Sequence, residues 1–407
     1  MKFGKKTIKD VPLDHHTVLV RADYNVPLND DGTIADDYRM LQSLPTLKFL
    51  IKAGCKIIVC SHLGRPKGKV DAKFSLEPVA RHLNTLLGQE VTFVPECIGD
   101  QVVVAAKALK PGGVALLENL RFHPQEEAND MAFAKKLAQS SGASYFVQDG
   151  FGVVHRAHAS TDAITHCLPS VAGLLLEREV STIQAVMQNP KRPLVVVLGG
   201  AKVSDKITLL EEFIAIADQI VIGGAMANTF LKYKGFSIGK SRYEEGQEPE
   251  LDRIYQLARK KVGDNRLDDF LLLPTDVAVA SEIAPNQRRT IVDVQRVSPV
   301  DYILDLGPRS TQAIVDHIKD AKSVIWNGTL GYAEYVVFAY SSAKLALALA
   351  EHHNIFSVIG GGDTADFVVN WDTKKGHSFG HVSTGGGASL ELMAGETLPG
   401  VAALLDA

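Results

Sequence analysis

Short runs of apolar and β-branched residues alternate along the chain with longer stretches whose apolar positions fall three and four residues apart. That alternation is the mark of strand–helix–strand units and parallel sheets. In the first part it predicts strands at residues 17–20, 56–60, 91–94, 114–117 and 145–147, with helices over windows such as 41–53 and 128–139. In the second part it predicts strands at 194–198, 219–222, 270–273, 323–326 and 356–359. A helical pattern over 171–188, stopped by Asn189-Pro190, lies between the two sets and reads as a bridge. A long helical connector would let two lobes move as rigid bodies. No short repeat is visible; the likeness of the halves is architectural. The fold class expected is therefore α/β, two Rossmann-like parallel-sheet domains joined by a bridging helix.

Parallel sheets gather ligands at the carboxyl ends of their strands, so the residues immediately after each strand carry the chemistry. In the first part Val20 runs into Arg21, Cys60 into Ser61-His62-Leu63-Gly64-Arg65, and Leu117 into Glu118-Asn119-Leu120-Arg121. Val147 leads through Asp149 to His155-Arg156-Ala157-His158. In the second part Leu198 runs into Gly199-Gly200, Ile222 into Gly223-Gly224, Trp326 into Asn327-Gly328, and Ile359 into Gly360-Gly361-Gly362. One set of strand ends offers guanidinium and imidazole groups, suited to a small polyanion. The other offers bare backbone, suited to phosphate chains and flat rings that need close approach.

Composition narrows the field without changing this picture. The chain has 407 residues, 22% charged and 46% hydrophobic, as in an ordinary globular protein of two or three domains. Its longest apolar runs are strand-length, so no membrane-spanning helix is expected. The opening Met1-Lys2-Phe3-Gly4-Lys5-Lys6 lacks the apolar core of a secretory signal. Cys55, Cys60, Cys97 and Cys167 include no C-x-x-C pair and are too sparse for a disulfide framework; Cys55 and Cys60 read as core thiols. A reducing cytoplasm is the expected setting. A net charge of −4 speaks against a broad nucleic-acid face. Residues 1–170 nevertheless hold 20 Lys and Arg against 18 Asp and Glu, and the remainder 23 against 29. Positive charge is concentrated in the first part.

Several segments resemble phosphate motifs. Gly235 to Ser241 is one residue short of P-loop spacing and lacks a preceding strand. Gly360-x-Gly362-x-x-Ala365 resembles a dinucleotide turn but has too little chain after it for a full Rossmann half. The segment from Gly199 to Lys206 is stronger. A strand ends in two glycines, Ser204 can cap a helix over 205–217, and Lys202 and Lys206 are four apart. Two cations at a helix start oppose the macrodipole unless an anion sits between them. Gly385-Gly386-Gly387 ahead of a helix offers an amide nest. Gly361, Gly362 and Thr364 offer amides and a hydroxyl for phosphate, and Asp363 an oxygen ligand for magnesium. No G-x-S-x-G elbow and no H-E-x-x-H motif occurs. Arginines interleave with His62, His155 and His158, which argues against zinc at those histidines.

Taken together, Val20 to Pro27, Ser61 to Pro66, Glu118 to Phe122, His155 to Ser160, Leu198 to Lys206, Gly360 to Thr364 and Ser383 to Glu391 resemble the phosphoglycerate kinase family over nearly the whole chain. The resemblance implies two lobes with a deep cleft between them. Its expected divisions are 1–172, a domain binding 3-phosphoglycerate or 1,3-bisphosphoglycerate; 173–188, the bridging helix; and 189–390, a domain binding ADP or ATP with Mg2+. A tail from about 391 to 407 would pack back on the first domain. Carried onto this sequence, the resemblance assigns Arg21, Asp23, Asn25, Arg39, His62, Arg65, Arg121 and Arg156 to the acid substrate. It assigns Gly199, Gly200, Ala201, Lys202, Lys206, Gly223, Gly224, Gly307, Asn327, Glu334, Gly361, Gly362, Asp363 and Thr364 to the nucleotide, with Asp363 on the metal. Arg39, Lys206, Gly385 and Gly386 would serve the transferring phosphoryl group. The expected enzyme is a monomer without nucleic-acid or membrane partners. After Asn327-Gly328 the family usually has Pro and then Gly-Val-Phe-Glu; this chain has Thr329, Leu330, Gly331, Tyr332, Ala333 and Glu334, which alters the wall beside the base. It also has Gly150 and Val153-Val154 before His155, and Thr275 where Val is usual, taken as a wall residue. Two alternatives stand beside this reading: an NAD-dependent dehydrogenase resting on the Gly360 turn, and a two-lobe protein that closes on an anion without reacting.

Overall fold

The computed structural model describes residues 3–407; Met1 and Lys2, at the head of the segment that lacks a secretory signal's apolar core, lie outside it. The chain forms two compact units. One holds the residues up to Thr182 together with Glu396–Ala407, the other Ile183–Gly395. The crossing point falls inside the helix Leu174–Gln188, which starts one residue later than the bridge expected at 173. The returning tail begins at 396 rather than about 391.

The first unit is built on six parallel strands: β1 (Thr17–Arg21), β2 (Lys56–Cys60), β3 (Val91–Val94), β4 (Val114–Leu117), β5 (Tyr145–Gln148) and β6 (Ser170–Ala172), in spatial order β3-β4-β2-β1-β5-β6. The apolar runs are continuous because both faces are covered. Val18, Val20, Ile57, Val59, Val114 and Leu116 join one core with Met40, Leu47 and Leu50 of the helix Tyr38–Lys52 and Val79 and Leu83 of Glu77–Leu87. Their neighbours Leu19, Ile58, Cys60, Ala115 and Leu117 join the opposite core with Val102 of Asp100–Ala108 and Phe133 and Leu137 of Met131–Ser141. Cys55 and Cys60 are fully buried. The C-terminal residues belong to this unit through specific bonds. Lys5 Nζ donates to Ala402 O (2.7 Å), Leu404 O (2.9 Å) and Asp406 Oδ1 (2.7 Å), and Gly400 N–H donates to Val154 O (2.9 Å).

The second unit holds nine strands: β7 (Leu194–Leu198), β8 (Gln219–Ile222), β9 (Leu271–Leu272), β10 (Asp276–Ala280), β11 (Thr290–Asp293), β12 (Tyr302–Leu306), β13 (Ser323–Asn327), β14 (Phe356–Gly360) and β15 (His381–Val382). Six make a parallel sheet in order β15-β14-β13-β7-β8-β9. The other three, β11-β10-β12, form a small antiparallel sheet that the sequence pattern did not reveal. Asp276 heads β10 and Asp305 interrupts the apolar run of β12, yet both carboxylates are buried and hydrogen-bonded, to Ser310 and to the Leu306 and Ser341 amides. Thr275, expected as a wall residue, is exposed and lines a small cavity of about 100 Å³. Among the described residues no helix is long and apolar enough to cross a membrane.

Candidate active site

In the first unit β4, β2, β1 and β5 end side by side, so the residues beyond them are collected on one rim. Arg21 pairs in register with Cys60 and Gln148 and is 1% exposed. Its Nε donates to Ser160 Oγ (2.7 Å), its Nη1 to Ala22 O, and its Nη2 to His62 Nδ1 (3.2 Å). Ser160 in turn donates to the buried Glu126 carboxylate (2.6 Å). Arg21 is therefore an internal brace beneath the rim, although the sequence placed it among the hands that grip. A guanidinium can only donate, so His62 Nδ1 accepts and the ring is neutral. Burial and then the charges of Arg21, Arg121 and Arg39 hold the His62 pKa well below its usual value. Burial and the same kind of charge, here Arg121, Arg21 and Arg156, bring His158 down to about 4. Burial and Arg156 lower His155 as well.

Arg39 stands in the first turn of its helix. Its Nη1 donates to Asp23 Oδ2 (3.2 Å) and Asn25 O (3.0 Å), with the side chain 28% exposed. Asn25 Oδ1 accepts from Gly64 N–H (2.8 Å), tying two strand-end loops together. Arg121 is largely buried, its Nη1 on Gly64 O (2.9 Å) and its Nε on Glu127 (3.2 Å). Arg65 and Arg156 are exposed. The rim thus has a braced layer, Arg21 and Arg121, and a presented layer, Arg39, Arg65 and Arg156. The histidine pKa values are depressed by burial first, and the arginine charges of these layers add to the shift.

In the second unit β14, β13, β7 and β8 end side by side, and the glycines behind them let the connections touch. A Cβ on Gly199 would collide with Gly328 O and Thr329 O. Gly361, at φ 88°, brings the Asn327 amide against the β14 turn, where a Cβ would sit 2.8 Å from Asn327 Nδ2. That Nδ2 is buried and makes no protein hydrogen bond. A cavity of about 340 Å³ opens beside these turns, lined by Gly200, Ala201, Gly224, Asn228, Leu306, Leu330, Tyr332, Glu334 and Asp363 among others. A groove of about 950 Å³ adjoins it, the two sharing Thr329, Glu334 and Asp363.

Details differ from the sequence expectation. Ser204 caps no helix: it lies in a 3-10 turn, Ser204–Lys206, and bonds the Glu244 carboxylate instead. The α-helix starts at Ile207, so Lys202 and Lys206 do not share a helical turn. Lys202 is exposed, whereas Lys206 folds its Nζ onto Gly199 O (2.6 Å) and Asn327 O (3.4 Å). Burial brings the Lys206 pKa down to about 8 against the opposing pull of Asp205 and Asp363. The Thr364 hydroxyl accepts from Gly328 N–H (2.7 Å). Gly307 caps the helix Pro308–Asp320 where a Cβ would strike Asp276, next to Leu306 of the cavity lining. Gly385 gives its N–H to Ser383 Oγ (3.1 Å), and Gly386 adopts φ 51° at the start of the short helix Gly387–Met393.

The family model for phosphoglycerate kinase matches residues 8–396. The chain belongs to the phosphoglycerate kinase family. The phosphoglycerate kinase of Moorella thermoacetica is 45% identical over 404 residues, covering 99% of this chain and 100% of that one. The phosphoglycerate kinase of Rippkaea orientalis is 47% identical over 390 residues, 95% of each. Among solved structures, phosphoglycerate kinase from Coxiella burnetii superposes with a TM-score of 0.83 at 35% identity. That from Pyrococcus horikoshii gives 0.82 at 30%, and each match covers 98% of both chains. The dehydrogenase alternative gives way to this membership. Against the family pattern, the altered wall is well ordered by its own bonds. Thr329 Oγ1 donates to Gly331 O (3.0 Å), Tyr332 N–H donates to Leu304 O (2.7 Å), and the Tyr332 ring packs on Tyr335 with centroids 4.9 Å apart.

Asn228 was not foreseen. It is 2% exposed in the helix Gly224–Tyr233, and its Nδ2 donates to Arg242 O (3.0 Å). That bond fixes the amide's orientation and leaves the buried Oδ1 without a partner on the cavity lining. The signal was present: an asparagine one turn after a Gly-Gly strand end is a poor helix former unless its amide has a use.

Proposed function

We propose that the chain catalyses reversible transfer of a phosphoryl group from 1,3-bisphosphoglycerate to ADP, giving 3-phosphoglycerate and ATP. The observation that carries the reading is the pairing of chemistries within one family member: an arginine rim with neutral histidines in the first unit, and an amide-rich turn cluster beside a base-sized cavity in the second. Arg39, Arg65 and Arg156 would grip the acid's phosphate and carboxyl groups, with Asp23 and Asn25 at its hydroxyl end. Arg21, Arg121 and His62 set the field. Ala201, Gly200 and Gly224 would border the base, Glu334 the ribose, and Lys202, Lys206, Asn327 and the Gly361–Thr364 turn the phosphates.

An acyl phosphate is already activated, so no protein nucleophile is required. The bond between phosphorus and the carboxyl oxygen breaks as one forms to a β-phosphate oxygen of ADP, in line, and the carboxylate leaves without needing a proton. Arg39 and Lys206 offset charge on the transferring group, with the Gly386 amide as a further donor. The reading requires the two units to meet over their ligands and exclude water during turnover, since hydrolysis would otherwise compete. Asp363 supplies an exposed carboxylate at the cavity edge, which fits Mg2+, an ion held by one or two carboxylates plus phosphate oxygens and water. When bound with the nucleotide, the ion would neutralise charge on the phosphates. Every group assigned comes from one chain, so a monomer suffices. Incubation with Mg-ATP and 3-phosphoglycerate, coupled to consumption of the acyl phosphate, should show turnover; tight binding without turnover would favour the non-reacting anion-binding alternative.

The same geometry sets two further outcomes. An anion entering the first rim offsets the arginine charges, so the histidine pKa values rise towards 6.5. Binding of sulfate, an anion that does not itself titrate in this range, should therefore take up protons between about pH 4 and 6.5 and none near pH 8. Calorimetry in buffers of different ionisation heat measures this, and proton release would contradict the placement. Asn228 Oδ1 matches the exocyclic amino group of adenine and faces an oxygen in hypoxanthine. Asn228→Leu should narrow the preference for ADP over IDP in kcat/KM by roughly tenfold, the scale of one unpaired buried polar group.

A further inference from the structure

We propose that Glu96, Cys97 and His123 form a binding site for a transition-metal dication of the zinc class. The first two residues lie in the loop between β3 and the helix Asp100–Ala108; His123 comes directly after the 3-10 turn Leu120–Phe122. One oxygen, one sulfur and one nitrogen atom from the three side chains all lie within 4.8 Å of one another. His123 Nε2 is 2.8 Å from Glu96 Oε1, and the same oxygen accepts from Cys97 N–H (2.7 Å), so the carboxylate is held in place from its own backbone. Cys97 Sγ is anchored on Glu118 O (2.9 Å), and the His123 ring packs on Phe133 with centroids 5.1 Å apart. Cys97 closes the back of the site at 1% exposed, while His123 and Glu96 keep side-chain exposures of 25% and 39% and leave a way in.

The donor set decides the class of ion. Thiolate and imidazole select zinc-like cations over magnesium or calcium, which want oxygen alone. Three protein ligands with one open position is a known zinc arrangement, with bonds of about 2.0–2.3 Å that require a small inward shift of the present donors. Binding replaces the thiol proton, which leaves to solvent as the metal–sulfur bond forms, while the neutral imidazole ligates through Nε2 with its one proton on Nδ1. An ion here would tie the loop after β3 to the segment that carries Arg121.

The test uses the full-length, untagged protein, stripped with a chelator and free of nucleotide, titrated with Co2+. The expected result is one bound cobalt per chain with a thiolate-to-cobalt charge-transfer band in the near ultraviolet, displaced by Zn2+, and a Zn2+-dependent rise in melting temperature. Cys97→Ser should abolish the band. His123→Asn, which changes a partly exposed ring, should weaken binding beyond the roughly 10- to 100-fold that loss of an outer-shell partner costs. Cys167→Ser should change neither. Absence of the band, its survival in Cys97→Ser, or binding unaffected by His123→Asn would overturn the proposal.

Discussion

Arg39→Ala should lower kcat by on the order of 10³- to 10⁵-fold, the range measured when an arginine that offsets charge on a transferring phosphoryl group is lost. ADP affinity should stay within about twofold of the wild type, because an exposed charge on the other unit contributes little to a ligand it does not touch. The guanidinium is part-exposed and uses Nη1 on Asp23 Oδ2 and Asn25 O, so it has donors to spare for a ligand. Removing it also strips an ion-pair partner from the buried Asp23, whose Oδ1 still accepts from Asn25 N–H (3.2 Å). That local cost is about 1–3 kcal/mol, visible as a lower melting temperature but too small to unfold a domain. Arg39→Lys should recover only part of the rate, since a point charge cannot make the bidentate grip. Equal losses of ADP and 3-phosphoglycerate affinity in Arg39→Ala would refute the assignment of Arg39 to the acid side.

Lys206→Ala should lower kcat by roughly 10²- to 10³-fold, the cost of removing one oriented donor to developing charge, and should weaken ADP binding as well. The ammonium is held on two strand-end carbonyls, Gly199 O and Asn327 O, beside Asp363. Burial depresses its pKa to about 8, which fixes the sign of the pH dependence. A phosphate chain favours the charged form and raises that pKa on binding, so ADP affinity should fall as pH climbs through about 8 and level off once the bound form also deprotonates. The folded state, by contrast, carries the cost of the buried charge and gains stability between about pH 8 and 10.5, where the unfolded chain binds more protons. Lys206→Arg should move the alkaline limb of ADP binding upward. An unchanged limb would mean that another group titrates there.

Sequence pattern and structure agree best where local chemistry alone decides. Most of the parallel strands were legible because burial on both faces demands continuous apolar runs, but the short β6 was absorbed into a helical reading from 171 and the two-residue β15 gave no run at all; the strand-end arginines and glycines were legible because topology brings the strand ends together. What stayed hidden depended on tertiary partners. Of the antiparallel strands, β12 is masked by Asp305 inside its apolar run, β10 opens on the charged Asp276 and β11 is largely exposed, and only the folded chain supplies the serines and amides that satisfy the two aspartates. Ser204 looked like a cap until Glu244, 40 residues away, claimed its hydroxyl, its own amide and that of Val203. Arg21 looked like a surface hand, yet Ser160 and Glu126 accommodate its charge inside. Lys206 lies in a segment read as following a strand end, but its depressed pKa comes from burial that spacing cannot encode.

The central claim is that the acid and the nucleotide occupy different units of one chain. The most direct measurement is a crystal structure of the full-length protein soaked with 3-phosphoglycerate and Mg-ADP. The account predicts the acid's phosphate and carboxylate against Arg39, Arg65 and Arg156, and the adenine in the cavity lined by Ala201, Gly224 and Asn228 with its phosphates near Lys206 and Asp363. Both compounds lodged in the same unit, or the acid bound away from the arginine rim, would contradict it.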